Sequence, residues 1–293
     1  MGSYSDLLQC ALSGLALGSI YAIIALGFTI IYNSTEIVNF AQGEFVIIGA
    51  LTAWWLTSHG MGIPLALLIS VGVTTVVGML LGWVVMRPLR DASVVSLIII
   101  TIGASQLLVG IASKLWGKDP VSMTPFSEGV IEFKGAFLQH QDLWVLGVTV
   151  VTVIALPLFF ERTQTGKAIR AASVNRHGAR LVGISVQRMV VGSFALSAAI
   201  GALGGAVVAP IVMPSYNSGL MMGLKGFAAA VLGGMGNSTG AILAGLILGI
   251  VESLGGYYSS SYKDAFAFII LLLILFIRPS GLLGARSAGG DKA

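Results

Sequence analysis

Long apolar runs alternate with short polar breaks along this 293-residue chain. Leu7–Ile31 contains no Asp, Glu, Lys or Arg, and neither does Phe45–Met86. Further uncharged stretches cover 92–113, 143–160, 189–224, 226–251 and 265–277. A hydrocarbon layer about 30 Å thick is crossed by roughly 20 apolar residues of helix. The pattern therefore predicts spans near 7–31, 37–57, 62–86, 93–113, 142–160, 189–213, 219–236, 239–256 and 264–283. The second and seventh begin with polar residues and are expected to be broken or re-entrant helices. The runs are continuous, which excludes a barrel built from alternating strands of roughly ten residues. The segment YNSTEIVNFAQGEF, 32–45, interrupts this pattern with Glu36, Glu44, Asn33, Asn39 and Gln42.

Composition agrees. The chain is 56% hydrophobic and only 10% charged, against about 25% charge in soluble domains. Its 39 glycines are roughly twice the usual ~7% and suit helices packed backbone to backbone. The net charge of +4 does not point to nucleic acid, because the excess sits in loops, where it sets orientation. Segment 161–188 holds Arg162, Lys167, Arg170, Arg176, Arg180 and Arg188 against Glu161 alone, the strongest cytoplasmic signal in the chain. Counting spans puts Arg87, Arg90, Arg278, Arg286 and Lys292 on that same side. It puts the N-terminus and the loop 114–141 outside. Cys10 is the only cysteine, so no intrachain disulfide forms. MGSYSD lacks the basic start of a cleavable signal peptide, and Asp6 breaks the myristoylation pattern.

Two blocks share letters: YNS at 32–34 leads to Gly43-Glu44-Phe45, and YNS at 216–218 leads to Lys225-Gly226-Phe227. By the span count they run in opposite directions, the layout of inverted-repeat transporters. Charges inside spans are costly and mark function by default; Glu44, Lys225 and Glu252 qualify by position. Glu44 and Lys225 are expected to face each other, or a shared gap, beside a translocation path. The competing reading puts both at helix ends near headgroups, where Lys snorkels and the dipole favours Glu. Asn39 and Gln42 line that path or satisfy the broken-helix backbone. Glu252, after Gly245 and Gly249, is expected to pair across a helix interface.

Lys167–Leu181 reads as a short amphipathic helix ended by Gly183, either an ordinary positive-inside loop or a docking helix for a cytoplasmic partner. GNSTG, 236–240, matches G-x-S-x-G around Ser238, but it joins two apolar helical runs and lacks the strand a nucleophile elbow needs. His59, His140 and His177 are too scattered for a metal site. No cofactor is expected either. TGKA at 165–168 lacks the rest of a phosphate-binding loop. Tyr257, Tyr258, Tyr262, Trp54, Trp55 and Trp144 are expected as interfacial aromatics. Arg278-Pro279 is expected to end the last span.

GSIYAIIALGFTIIYNSTEIVNFAQGEF resembles the opening signature of the LivH-type permeases of branched-chain amino-acid ABC importers. GLKGFAAAVLGGMGNSTGAILAGLILGIVES and YKDAFAFIILLLILFIRPSGLLG resemble their closing half. The resemblance implies a non-enzymatic permease subunit working by alternating access in a bacterial inner membrane. Its partners would be a second, LivM-like permease subunit, two cytoplasmic ATPase subunits, a periplasmic binding protein and the lipid bilayer, with no nucleic acid. It implies branched-chain or other hydrophobic amino acids as substrate; urea or short amides are the alternative. It also implies that Gly166–Gly183 couples to the ATPases, through Gly166, Lys167, Arg170, Ala171, Ala172, Ala179 and Gly183. The chain departs from the family at VNRHGAR, where relatives often carry acidic residues. The expected fold is all-α, a polytopic membrane protein of about 8–9 transmembrane or re-entrant helices. A candidate inverted repeat, 7–113 and 189–283, flanks the external loop 114–141 and the cytoplasmic coupling loop 161–188. An intramembrane hydrolase built on Ser238 and a passive channel are the rival readings.

Overall fold

A computed structural model describes residues 4–86, 93–259 and 263–284. Arg87, Arg90, Tyr262, Arg286 and Lys292 lie outside the described residues. In chain order the helices are α1 (Tyr4–Thr35), α2 (Gln42–Ser58), α3 (Ile63–Met86), α4 (Val94–Leu115), α5 (His140–Arg162), α6 (Gln164–Val174), α7 (Arg176–Leu181), α8 (Val186–Val212), α9 (Ser218–Gly233), α10 (Ser238–Tyr258) and α11 (Lys263–Ile277). Strands β1 (Val130–Phe133) and β2 (Ala136–Gln139) form one hairpin. Six of these helices, α1, α3, α4, α5, α8 and α10, are long and apolar enough to cross a membrane.

The centre of the fold is α1, most of whose membrane-length stretch is buried. It packs against α10, α8, α9 and α5. Its approach to α10 is backbone on backbone. A side chain at Gly249 would run into Gly18 and Gly14, one at Gly18 into Leu246, and one at Gly245 into Ala22. As α1 advances its partner residues recede, so the two helices are antiparallel. Gly49 against Ala202 and Gly205 against Val46 seat α2 on α8 in the same way, and Gly78 and Gly82 seat α3 on α8. Apolar tails of lipid are as good a solvent for Leu as another helix is, so close contact of small residues is what holds membrane helices together. The high glycine content is spent on these crossings.

Two long helices stop inside the fold. α1 ends at Thr35 and, after six residues (36–41), α2 begins at Gln42. α8 ends at Val212 and α9 begins at Ser218. Each break opens on a left-handed residue that is not glycine: Glu36 at φ 61° and Met213 at φ 46°. Backbone groups freed there find partners. Phe40 N donates to Thr101 Oγ1, Ala41 N to Asn39 Oδ1, and Ser215 N to Ser218 Oγ, as buried polar backbone must.

The sequence expectation differs in four places. The second span begins at Gln42 rather than 37, because 36–41 is the break itself. Lys167–Leu181 is two helices rather than one: Asn175 is extended, and its side chain accepts from Gly178 N to cap α7. Loop 114–141 contains the β1–β2 hairpin, turned by Lys134 at φ 51° and Gly135 at φ 82°. Finally, Tyr32–Ser34 belongs to the last turns of α1, whereas Tyr216-Asn217 lies in the second break and Ser218 opens α9. The shared letters do not hold equivalent places.

The ends of the helices gather on two faces. On one, Tyr257 OH donates to Asp6 Oδ2 at 3.3 Å, and the Gln9 amide pairs with both backbone groups of Phe137 in β2. On the other, Asn33 Nδ2 donates to Gly236 O, an Arg176 guanidinium N–H to Ser34 O, and Asn237 Nδ2 to Leu283 O. Arg278-Pro279 follows α11, and the chain then turns back so that Leu282 N and Leu283 N donate to Leu232 O and Gly233 O. Replacing Gly249 by Leu forces α1 and α10 apart and is expected to cost at least about 1–3 kcal/mol, the cost of overpacking. Gly103→Ala in α4, where nothing outside the local helix backbone lies within 4 Å of the new methyl, is expected to be neutral or to stabilise by up to about 1 kcal/mol. Thermal unfolding of both variants in detergent checks the contrast.

Candidate functional site

The two broken helices meet at their starts. A side chain at Gly43, in the first turn of α2, would strike the carbonyl of Gly219 and the backbone of Gly223 in α9. A helix start concentrates unpaired N–H groups and partial positive charge. Glu44 stands in this junction. It is buried, packs against Gly219, and its Oε1 accepts from Ser105 Oγ of α4 at 3.1 Å.

Beside it runs a second polar chain. Gln42 is fully buried and packs on Gly27 of α1, where any side chain would collide with it. Ser197 Oγ of α8 lies 2.6 Å from Gln42 Oε1 and 2.9 Å from Gly27 O. One hydroxyl has a single proton. With the Gln42 amide turned over, its NH2 group donates to Ser197 Oγ, and Ser197 donates to Gly27 O. That arrangement also gives the otherwise orphaned Gln42 nitrogen a partner. Asn39 uses Oδ1 to hold Ala41 N, while its buried Nδ2 has no hydrogen-bond partner among the described residues.

The charged group lies elsewhere. Lys225 Nζ of α9 stands 2.8 Å from Glu252 Oε1 of α10. Tyr21 OH of α1 donates to Glu252 Oε2 at 2.7 Å, and Lys225 Nζ sits 5.5 Å from the centre of the Tyr21 ring. Lys263 of α11 approaches Glu252 Oε1 at 3.6 Å. Glu252 thus ties four helices together across their interfaces. Burying a carboxylate is tolerable only when it is paired and hydrogen-bonded, and here both oxygens are served.

Glu44 and Lys225 do not pair with each other: Lys225 lies against Glu252, and Glu44 accepts from Ser105. Glu44 abuts Gly219 in the first turn of α9, and six residues of helix, roughly 9 Å of rise, separate Gly219 from Lys225. Tyr21, Ser105 and Ser197 went unseen in the sequence reading. Each is a neutral polar residue inside an apolar run. Tyr21 alone carried a signal, as the one phenol in the uncharged stretch 7–31.

The segment 161–188 folds against the membrane helices. Gly166 is buried, and a side chain there would strike the Phe159 carbonyl. Ile169, Ala172 and Ala179 are buried with it, while Lys167, Arg170, Ala171 and Gly183 are exposed. Val174, Leu181 and Val182 face outward with more than 70% of their surface open, at 82%, 77% and 75%. Gly183 adopts φ +83° and ends α7. Ser238 opens α10 after a turn, with Asn237 as its cap; no strand precedes it, and the site has no nucleophile elbow.

Removing the lysine takes from the buried Glu252 carboxylate its nearest cation and leaves it Tyr21 and the more distant Lys263. Lys225→Met is expected to destabilise the fold by about 3–5 kcal/mol, and Lys225→Met with Glu252→Gln to recover much of that loss. Unfolding of the single and double variants in the same detergent measures the difference.

A family model described as "Branched-chain amino acid transport system / permease component" matches residues 10–275. The high-affinity branched-chain amino acid transport system permease protein LivH of Escherichia coli K12 is 34% identical, over 94% of this chain and 95% of that protein. BraD of Pseudomonas aeruginosa, a permease protein of the same description, is 33% identical over 94% and 95%. A probable LivH of Methanocaldococcus jannaschii is 29% identical over 91% and 89%. With helices fit to cross a membrane, buried polar groups at the first helix break and within α9 and α10, and this match along most of its length, the chain belongs to the branched-chain amino acid transport permease family and is a membrane-embedded permease subunit of an importer.

Proposed function

We propose that this chain forms one half of the membrane pathway of an ATP-driven importer of branched-chain or other hydrophobic amino acids. It would work by alternating access, beside a LivM-like second permease, with two ATPases on one face and a periplasmic binding protein on the other. The named substrates of its relatives support the amino-acid reading.

The observation that carries the mechanism is the junction of α2 and α9. Exchanging α1–α4 for α8–α11 leaves the packing scheme unchanged. α1 lies on α10 as α8 lies on α3, α2 on α8 as α9 on α1, and α2 on α3 as α9 on α10. α1 and α8 are antiparallel, since Gly27 meets Ser197 and Gly204 meets Ile23. This supports reading 7–113 and 189–283 as inverted repeats, whose substrate path lies at their interface. Asn39, Gln42 and Glu44 would then line or gate that path. Lys225 and Glu252 would fix α9 within it.

The groove between α6 and α7, with Val174, Val182 and Lys167 on its walls, suits an ATPase surface offering apolar and acidic groups. That choice makes the 161–188 face cytoplasmic and leaves the N-terminus and the 114–141 loop outside. Lys167, Arg170, Arg176 and Arg180 on that face obey the positive-inside rule.

The test is uptake of labelled leucine by vesicles that hold this chain with its permease partner, ATPases and binding protein. Uptake is expected to require ATP and to be out-competed by isoleucine and valine but not by urea or acetamide. Uptake without ATPases would make the chain a passive channel, and competition by urea alone would reassign the substrate. Glu44→Gln keeps the Ser105 bond and the packing. It is expected to lower uptake about tenfold, the equivalent of one charge-assisted hydrogen bond, at unchanged folded yield. Wild-type uptake in this variant removes Glu44 from the pathway.

A further inference from the structure

A cavity of about 410 Å³ opens between α1, α5, α6 and α10, at the helix ends that also carry the 161–188 segment. Its volume falls in the roughly 300–1,000 Å³ range of small-molecule sites. The inner wall is apolar, made by Leu26 and Ile30 of α1, Leu156 and Pro157 of α5, and Ile242 and Leu243 of α10. The flanking surfaces of α5 and α10 are exposed and apolar, with Ile154 57% and Leu243 46% accessible. The cavity therefore continues the surface that these helices present to hydrocarbon.

The rim is polar and carries both charges. Arg170 of α6 stands on it with Glu161, the penultimate residue of α5, and Ser238 and Thr239 open α10 beside them. Asn237 Oδ1 accepts from Gly240 N, so the cap of α10 serves the third residue of the helix. The amides of Ser238 and Thr239 have no acceptor among the described residues, and neither do their hydroxyls. Arg170 likewise forms no side-chain ion pair among the described residues. Unpaired N–H groups at the start of a 21-residue helix, with a guanidinium beside them, are what a phosphate oxygen needs. Glu161 would repel a purely anionic group and attract an ammonium.

We propose that this cavity holds one phospholipid whose headgroup joins a phosphate to a primary ammonium, the chemistry of phosphatidylethanolamine. The phosphate sits between Arg170 and the start of α10, the ammonium at Glu161, and one acyl chain in the cleft between α5 and α10. Because Ile169 and Arg170 belong to α6, the lipid braces the coupling segment against the transmembrane helices. The inference rests on the membrane reading alone and is independent of the substrate.

The test is native mass spectrometry of the full chain in its assembled transporter, released from detergent micelles containing phosphatidylethanolamine, phosphatidylglycerol or phosphatidylcholine in turn. Phosphatidylethanolamine is expected to be retained, one per chain, about tenfold better than the other two, the worth of one charge-assisted contact. Arg170→Gln is expected to lower retention about tenfold by the same measure. Ile242→Trp, which fills the cleft, is expected to abolish it. Glu161→Gln is expected to remove the preference over phosphatidylglycerol while leaving a lipid bound. Equal retention of all three lipids, or unchanged retention in Arg170→Gln, overturns the proposal. Arg170 and Glu161 are exposed, so their variants keep the test valid if Ile242→Trp does not fold. Glycerophosphoethanolamine without acyl chains is expected not to compete; competition by it would make the site one for a soluble phosphate ester and overturn the lipid assignment. Loss of leucine uptake does not enter this readout, so failure of the transport reading is distinguishable from failure of this one.

Discussion

How closely α1 can approach α10 sets the geometry of everything around them. Gly14, Gly18 and Ala22 on one helix face Gly245 and Gly249 on the other, and a side chain at several of these positions would overlap backbone. In lipid no hydrophobic gain separates a packed helix from a solvated one, so the contact has to come from dispersion over many close atoms. That close approach brings Tyr21, one residue before Ala22, within hydrogen-bond reach of Glu252, three residues after Gly249. The packing of small residues and the placement of the buried carboxylate are thus parts of one arrangement.

The breaks follow from the same shortage of solvent. A helix that stops inside hydrocarbon exposes backbone groups that only protein can satisfy. At both breaks a left-handed residue, Glu36 or Met213, turns the chain sharply. Such a residue costs about 1–2 kcal/mol when it carries a side chain, and the neighbouring bonds hold it in place. Asn39 is the clearest case of a polar residue placed for the backbone: its carbonyl oxygen holds Ala41 N. Gln42, one turn on, does the same work for α1 and α8 through Ser197 and Gly27.

Much of this was legible in the sequence and some of it was not. Span positions followed from the uncharged runs because hydrocarbon thickness fixes their length, and the polar starts of the second and seventh spans marked the breaks. The partner of Lys225 could not be read, because pairing depends on the rotation of α9 and α10 about their axes, and runs such as GFAAAVLGG have no polar face to fix that rotation. Periodicity was equally silent on the β1–β2 hairpin, whose strands are four residues each. The letters YNS misled for a physical reason: the first copy completes a helix, and the second supplies Ser218, whose hydroxyl accepts from Ser215 N at a helix start. Identical residues served opposite ends of a helix.

The packing scheme treats the two halves alike, but the charges do not. On α9, Lys225 is joined to α10 and α1 through Glu252, with Lys263 of α11 at the edge of the cluster. On α2, Glu44 has one hydroxyl from α4, and α3 offers no ionisable group at all between Ile63 and Met86. Removing one partner of a buried ion pair costs more than losing a single hydroxyl contact does. α9 is therefore bound into its bundle by charge, whereas α2 is bound by shape, through Gly49, Gly205 and the small residues facing them. Substitutions that preserve volume but remove charge therefore loosen the packing of α9 and not of α2, and substitutions that add volume at the glycines loosen both.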